Sequence, residues 1–341
     1  MQEILLENEL PLDKPEPLPF PFNQRTFCRY EPIEKRIEEA RVLVIDDLLR
    51  DERDLSEVAF KEWGQSVQTH LNRERMIAEL ALENILNNIS RLVKRPTTRV
   101  AHLSEIASAV KSFRPHAVVM SGTLQDFDFY NPEMIESFTS FIRGTRTPVL
   151  GICGGHELVG LGFGARVLTL SNMEQHEQRQ GRSFEYQYRF IRIVDPLDPI
   201  FCGINDPESG MWQDYTKEAR ILRVWQNHGL QLDRIPEGFK LIATAYLCRN
   251  QMMVKRTDGQ LIYTVQFHLE KSFQDLSRRH AESLDPGLSP EERKRRVRKD
   301  AESRTRWAHQ IESRDGRIIF ENFLRESLSH MEEIGDSCPE R

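Results

Sequence analysis

The segment Pro148-Val-Leu-Gly-Ile-Cys-Gly-Gly-His-Glu-Leu-Val-Gly160 constrains the fold of this chain more than any other. An apolar run passes through glycines into a helix-forming run, so it reads as a buried strand, a sharp turn and a helix. A side chain on such a turn projects away from the sheet, and the backbone N–H after it points into the same space. Cys153 holds that position. The positive end of the helix that begins there favours its thiolate, which places Cys153 to attack a carbonyl.

Strand and helix patterns alternate up to this turn. Arg41 to Asp46 reads as a buried first strand. Helical periodicity follows around Asp54 to Trp63 and from Leu71 to about Leu92, where Ala78, Leu82, Ile85, Leu86 and Ile89 share a face. A short strand near Thr98 to Ala101, a helix from Ser104 to Phe113, a strand at Ala117 to Ser121 and a helix at Pro132 to Arg143 complete the series. The alternation predicts an α/β fold, a doubly wound and mostly parallel sheet with flanking helices and its site at the carboxyl ends of the strands. After Gly164, the segments Arg166 to Leu170, Phe184 to Val194 and Lys240 to Ala245 predict a mixed or antiparallel β extension.

A cysteine nucleophile needs a base, and Leu261-Ile-Tyr-Thr-Val-Gln-Phe-His-Leu-Glu270 offers one. Its apolar and β-branched start reads as a buried strand ending near His268. On an extended chain His268 and Glu270 share a side, so the carboxylate can hold the imidazole tautomer. Nucleophile, base and orienting acid form the pattern of a catalytic triad.

Gly151-Ile-Cys-Gly-Gly155 followed, 115 residues after the cysteine, by His268-Leu-Glu270 resembles the class I glutamine amidotransferase family, whose usual forms are G-x-C-x-G-x-Q and H-P-E. Val224-Trp-Gln-Asn-His-Gly229 through Ile235-Pro-Glu-Gly-Phe239 is similar to the segment before the catalytic strand in the glutaminase domain of GMP synthetases. Ala117-Val-Val-Met-Ser-Gly122 is similar to the strand and loop that supply an oxyanion N–H. The resemblance covers residues 41 to 329 and implies a flavodoxin-like architecture with Cys153, His268 and Glu270 as triad. It also implies an oxyanion hole at Gly122, Thr123 and Gly154, and substrate contacts from Glu157, His228 and Gly229. Residues 65–97 exceed what the family needs and read as a helical insertion, a single helix or a hairpin; a second insertion falls near 274–314, and Ile318 to Leu328 resembles the closing helix.

Four positions depart from the family. Glu157 replaces a glutamine that helps to bind substrate, Thr123 replaces a second glycine, Leu269 a proline and Leu230 an acidic residue. The nucleophile turn also varies among the related γ-glutamyl hydrolases.

The remainder of the chain narrows the function classes. Hydrophobic residues at 39%, charged residues at 29% and a net charge of −6 describe a soluble protein with no global electrostatic case for nucleic acid. No apolar run reaches a membrane span and no secretory leader is evident, so the expected location is cytoplasmic. The five cysteines, Cys28, Cys153, Cys202, Cys248 and Cys338, lack a metal-ligand or disulfide pattern, and Cys202 and Cys248 read as small buried hydrophobes. Residues 1–40 form a proline-rich arm with Pro11, Pro15, Pro17, Pro19 and Pro21, and residues 330–341 a tail. The charged run Glu291 to Lys299 reads as a solvated helix.

The expected reaction is hydrolysis of glutamine to glutamate and ammonia with no cofactor and no metal. The chain lacks an S-G-G-x-D-S loop or a phosphate-binding G-x-x-x-x-G-K-[ST] loop, which implies that the ammonia-accepting synthetase is a separate polypeptide. Two alternatives stay open: a self-sufficient hydrolase of γ-glutamyl amides or peptides, and a catalytically silent interaction protein of the same fold.

Overall fold

The computed structural model describes residues 35–204, 221–271 and 314–336, together with Ser289. The proline-rich arm, the charged run at 291–299 and most of the second expected insertion lie outside the described residues.

Strand β1 (Ile37–Asp46) lies inside the α/β half, between β2 and β3. Its alternate residues point to opposite faces, and both sets are buried: Val42 and Val44 on one side, Leu43 and Ile45 on the other. A strand apolar on both faces belongs inside a sheet covered by helices on each side. β1 pairs in parallel with β2 (Val93–His102) and β3 (Ala117–Met120). β3 pairs in parallel with β4 (Val149–Ile152), which pairs in parallel with β11 (Ile262–Val265).

From β11 outward the sheet becomes antiparallel through β10 (Met252–Lys255), β9 (Lys240–Thr244), β6 (Glu185–Ile193) and β7 (Ile221–His228). Among the described residues the order is β2-β1-β3-β4-β11-β10-β9-β6-β7. A small antiparallel pair of β5 (Val167–Thr169) and β8 (Leu230–Leu232) stands apart. The chain is thus an α/β protein with a parallel half and an antiparallel extension. β7, β8 and β10 are additions to the elements read from the sequence, and β1 and β2 are longer than read.

Helices α3 (Ile106–Phe113), α4 (Pro132–Gly144) and α5 (Gly154–Gly162) cover one face through Ile106, Phe138, Ile142, Leu158 and Val159. On the other face the closing helix α6 (Arg314–Asp336) buries Ile319, Phe320 and Phe323. After the short α1 (Glu57–Trp63), α2 (Val67–Leu92) is one continuous helix of 26 residues, not a hairpin. Val67 and Leu71 near its start pack into the α3/α4 layer, whereas Ile85, Ile89 and Leu92 pack into the α6 layer. α2 therefore crosses from one face of the sheet to the other, passing Leu49 just beyond the carboxyl end of β1. Among the described residues no helix is long and apolar enough to cross a membrane.

Candidate active site

The turn after β4 has the conformation its sequence predicts. Cys153 has φ 52° and ψ −105° and directly precedes α5. The left-handed φ of a non-glycine residue is a strained backbone state that its surroundings must hold. Its N–H donates to Val265 O at 2.7 Å, and the N–H of Gly155 donates to Ser121 O at 3.1 Å. Cys153 is 6% exposed, and burial drives its thiol above the ordinary range, reinforced by the nearby Glu157 carboxyl. Burial therefore opposes the helix end, which favours the thiolate.

Gly154 explains how the loop after β3 meets the turn. A Cβ there would lie 2.2 Å from Thr123 Oγ1 and 2.3 Å from Thr123 N, so Thr123 fits only because residue 154 has no side chain. The main chains of Thr123 and Gly154 are thus brought together beside Cys153.

His268 lies just beyond β11, held by its N–H to Trp225 O at 2.8 Å. Its Nδ1 is 2.7 Å from Glu270 Oε1. Burial pushes the Glu270 carboxyl up, but the adjoining His268 and Lys271 outweigh it and hold the group below its usual range. Gly122 joins the two halves. A Cβ built there would be 3.8 Å from Cys153 Sγ and 3.4 Å from His268 Cε1, so thiol and imidazole face the same small space across Gly122.

The three residues read as substrate contacts have different surroundings. Glu157 is buried and accepts from Gln266 Nε2 at 2.9 Å; burial raises its carboxyl to about 7. His228 uses both ring nitrogens internally, with Leu230 O at 2.8 Å and Glu185 Oε2 at 3.1 Å. A Cβ on the adjacent Gly229 would meet the Phe184 ring at 2.9 Å. His156 is fully buried, its Nδ1 2.8 Å from Thr264 Oγ1, and burial lowers it to about 3.

Sequence reasoning did not anticipate Gln266, nor the belt joining Gln226 to Gln251 at 2.8 Å and Gln251 to Glu185 at 3.2 Å. The visible signal was a run of amides on otherwise apolar strands. Cys248 is buried as expected, whereas Cys202 is exposed, because it ends a 3₁₀ turn of Pro199–Phe201 at the protein surface.

This chain belongs to the class I glutamine amidotransferases: the family's model matches residues 81–282. It is 30% identical over 162 residues to a subunit of the glutamine-hydrolyzing GMP synthase of Thermococcus kodakarensis, covering 47% of this chain and 69% of that protein. It is 28% identical over 126 residues to the corresponding GMP synthase subunit of Methanocaldococcus jannaschii, covering 37% and 52%. Among solved structures, a putative GMP synthase subunit from Thermoplasma acidophilum aligns with a TM-score of 0.48 at 18% identity, covering 87% of this chain and 98% of that one.

Proposed function

We propose that this protein is a cysteine-dependent glutaminase that hydrolyses glutamine to glutamate and passes the ammonia to a separate synthetase subunit. The observation that carries this reading is the meeting of Cys153 and the His268–Glu270 pair across Gly122. In this mechanism His268 takes the thiol proton as Sγ attacks the γ-carboxamide carbon, and Glu270 stabilises the resulting imidazolium. The N–H groups of Thr123 and Gly154 hold the oxyanion, a contribution of about 10²–10³-fold for each donor. Collapse of the tetrahedral adduct breaks the C–N bond, and His268 gives its proton to the departing ammonia. Water, deprotonated by His268, then cleaves the thioester to glutamate and the thiol. The synthetase partner is supported by the relatives whose names mark each as one subunit of a glutamine-hydrolyzing synthase.

We further propose that Gly229 shapes one wall of the cleft and that His228 acts on substrate through Glu185 rather than by contact. Residues 41–329 form the amidotransferase domain in this reading, with α2 its first insertion. One observation favours a second reading, hydrolysis of γ-glutamyl amines: a carboxyl, Glu157, stands where the family carries an amide.

The test is glutamate release from glutamine and from γ-glutamyl amines, with the site of an electrophilic glutamine analogue mapped by peptide. The expected label is on Cys153, with Cys202 and Cys248 spared, and turnover is abolished in Cys153→Ala. Turnover that survives Cys153→Ala would overturn the assignment. Preference for γ-glutamyl amines would select the second reading.

A further inference from the structure

We propose that helix α2 is a positioning element of the thiol site, and that Glu74 on it fixes the shape of the loop after β3. This rests on the reading that Thr123 holds the oxyanion. Glu74 lies on the buried stripe of α2 between Leu71 and Ala78 and is fully buried, where helix periodicity calls for an apolar side chain. A buried carboxyl is costly, so its place there has to be explained by what it holds. Oε2 accepts from Leu49 N at 3.3 Å, and Oε1 accepts from Gln125 Nε2 at 2.9 Å. Gln125 is two residues beyond Thr123.

The opposite side of the same loop is held by Arg179 and Arg182, which donate to Asp126 at 2.7 and 2.5 Å, and by Gln175, whose Oε1 accepts from Phe127 N at 2.8 Å. The loop is thus pinned from two sides, and Glu74 supplies the tie to α2. Four turns further along, Asn88 Nδ2 donates to the main-chain oxygen of Glu270. One helix grips both the loop facing Cys153 and the acid orienting His268.

The charge pattern of the Glu74–Gln125 pair allows a reversible test. Gln125→Glu sets a second carboxyl against the first, whereas Glu74→Gln in the same chain restores an amide donor facing a carboxylate and leaves an oxygen for Leu49 N–H. Three quantities are read: glutaminase kinetics, amide hydrogen exchange of residues 122–129, and site-resolved alkylation of Cys153 by iodoacetamide, which needs no oxyanion hole.

In Gln125→Glu we expect faster exchange in the loop, kcat lower by about tenfold or more, KM within about threefold and alkylation within about twofold. The double variant should recover exchange and kcat together. Gln125→Leu, which removes the donor without adding charge, serves if Gln125→Glu does not fold. Unchanged exchange, unchanged kcat in a loosened loop, or a double variant no better than Gln125→Glu would each overturn the inference. If the wild-type protein hydrolyses no γ-glutamyl compound, the proposed function has failed, and hydrogen exchange alone decides whether Glu74 shapes the loop.

Discussion

Thr123 fits against Gly154 only because residue 154 has no side chain, and the fit can be tested at the level of single atoms. Gly154→Ala puts a methyl group within 2.3 Å of Thr123 N. Turnover should fall by about 10²-fold as the loop is displaced, while adding Thr123→Gly, which frees the loop backbone, should recover part of it; steady-state kinetics on both variants decides. If His268 is the base, as proposed, His268→Ala should abolish turnover, whereas Glu270→Gln should lower kcat and spare binding. Glu157 titrates near 7, and its protonated form can donate to a carboxamide oxygen as an amide does. Above that pH it only accepts, so the kcat/KM ratio of Glu157→Gln to wild type for glutamine should rise between about pH 6 and about pH 8. A flat ratio would make Glu157 a packing residue.

At the scale of elements, the two halves of the sheet differ in how well sequence pattern forecasts them. The inner parallel strands β1, β3, β4 and β11 are buried on both faces and bounded by glycine, proline and helix periodicity, so they were legible with the fold class, whereas the edge strand β2 is largely exposed. Cys153, His268 and Glu270 stood out because each follows such a strand in a recognisable motif. β7 and β10 did not stand out, because their buried faces carry Gln226 and Lys255, which break the apolar pattern that marks a strand. Glu74 was hidden for the same reason: a charged residue within an amphipathic helix reads as solvent-facing until its partners are seen. The closing helix α6 is held by its apolar face, and Phe323, fully buried against Tyr263, is its central contact. Phe323→Ala should cost about 3–5 kcal/mol in denaturant unfolding, with little change in kcat once folded.

For the molecule as a whole, buried acids set the response of stability to pH. Asp47 is fully buried, and loss of solvent, with Asp46 close by, raises its carboxyl well above the ordinary range. Glu74 and Glu157 are raised to about 7, each chiefly by burial. Each folded carboxyl keeps a proton that the unfolded chain has released, so each group costs about 1.4 kcal/mol of stability per pH unit between its unfolded and folded pKa values. Their contribution is intact below about pH 4 and is lost as pH rises through the folded values. His156, lowered to about 3 by burial, acts in the opposite sense up to about pH 6.5. Asp47→Asn removes one proton-holding group, so its melting temperature relative to wild type should increase from about pH 5.5 to about pH 8; a constant difference would show that Asp47 is ionised in the native protein.

The pairing of Ile152 with Val265 also governs when the site can exist. Thiol and imidazole follow adjoining strands that are far apart along the chain, and long-range parallel pairing of this kind is slow to form. In the proposed mechanism, Cys153 and His268 act together only once β4 and β11 have paired. On that mechanism, reaction of Cys153 with a mechanism-based label becomes a chemical clock for completion of the sheet.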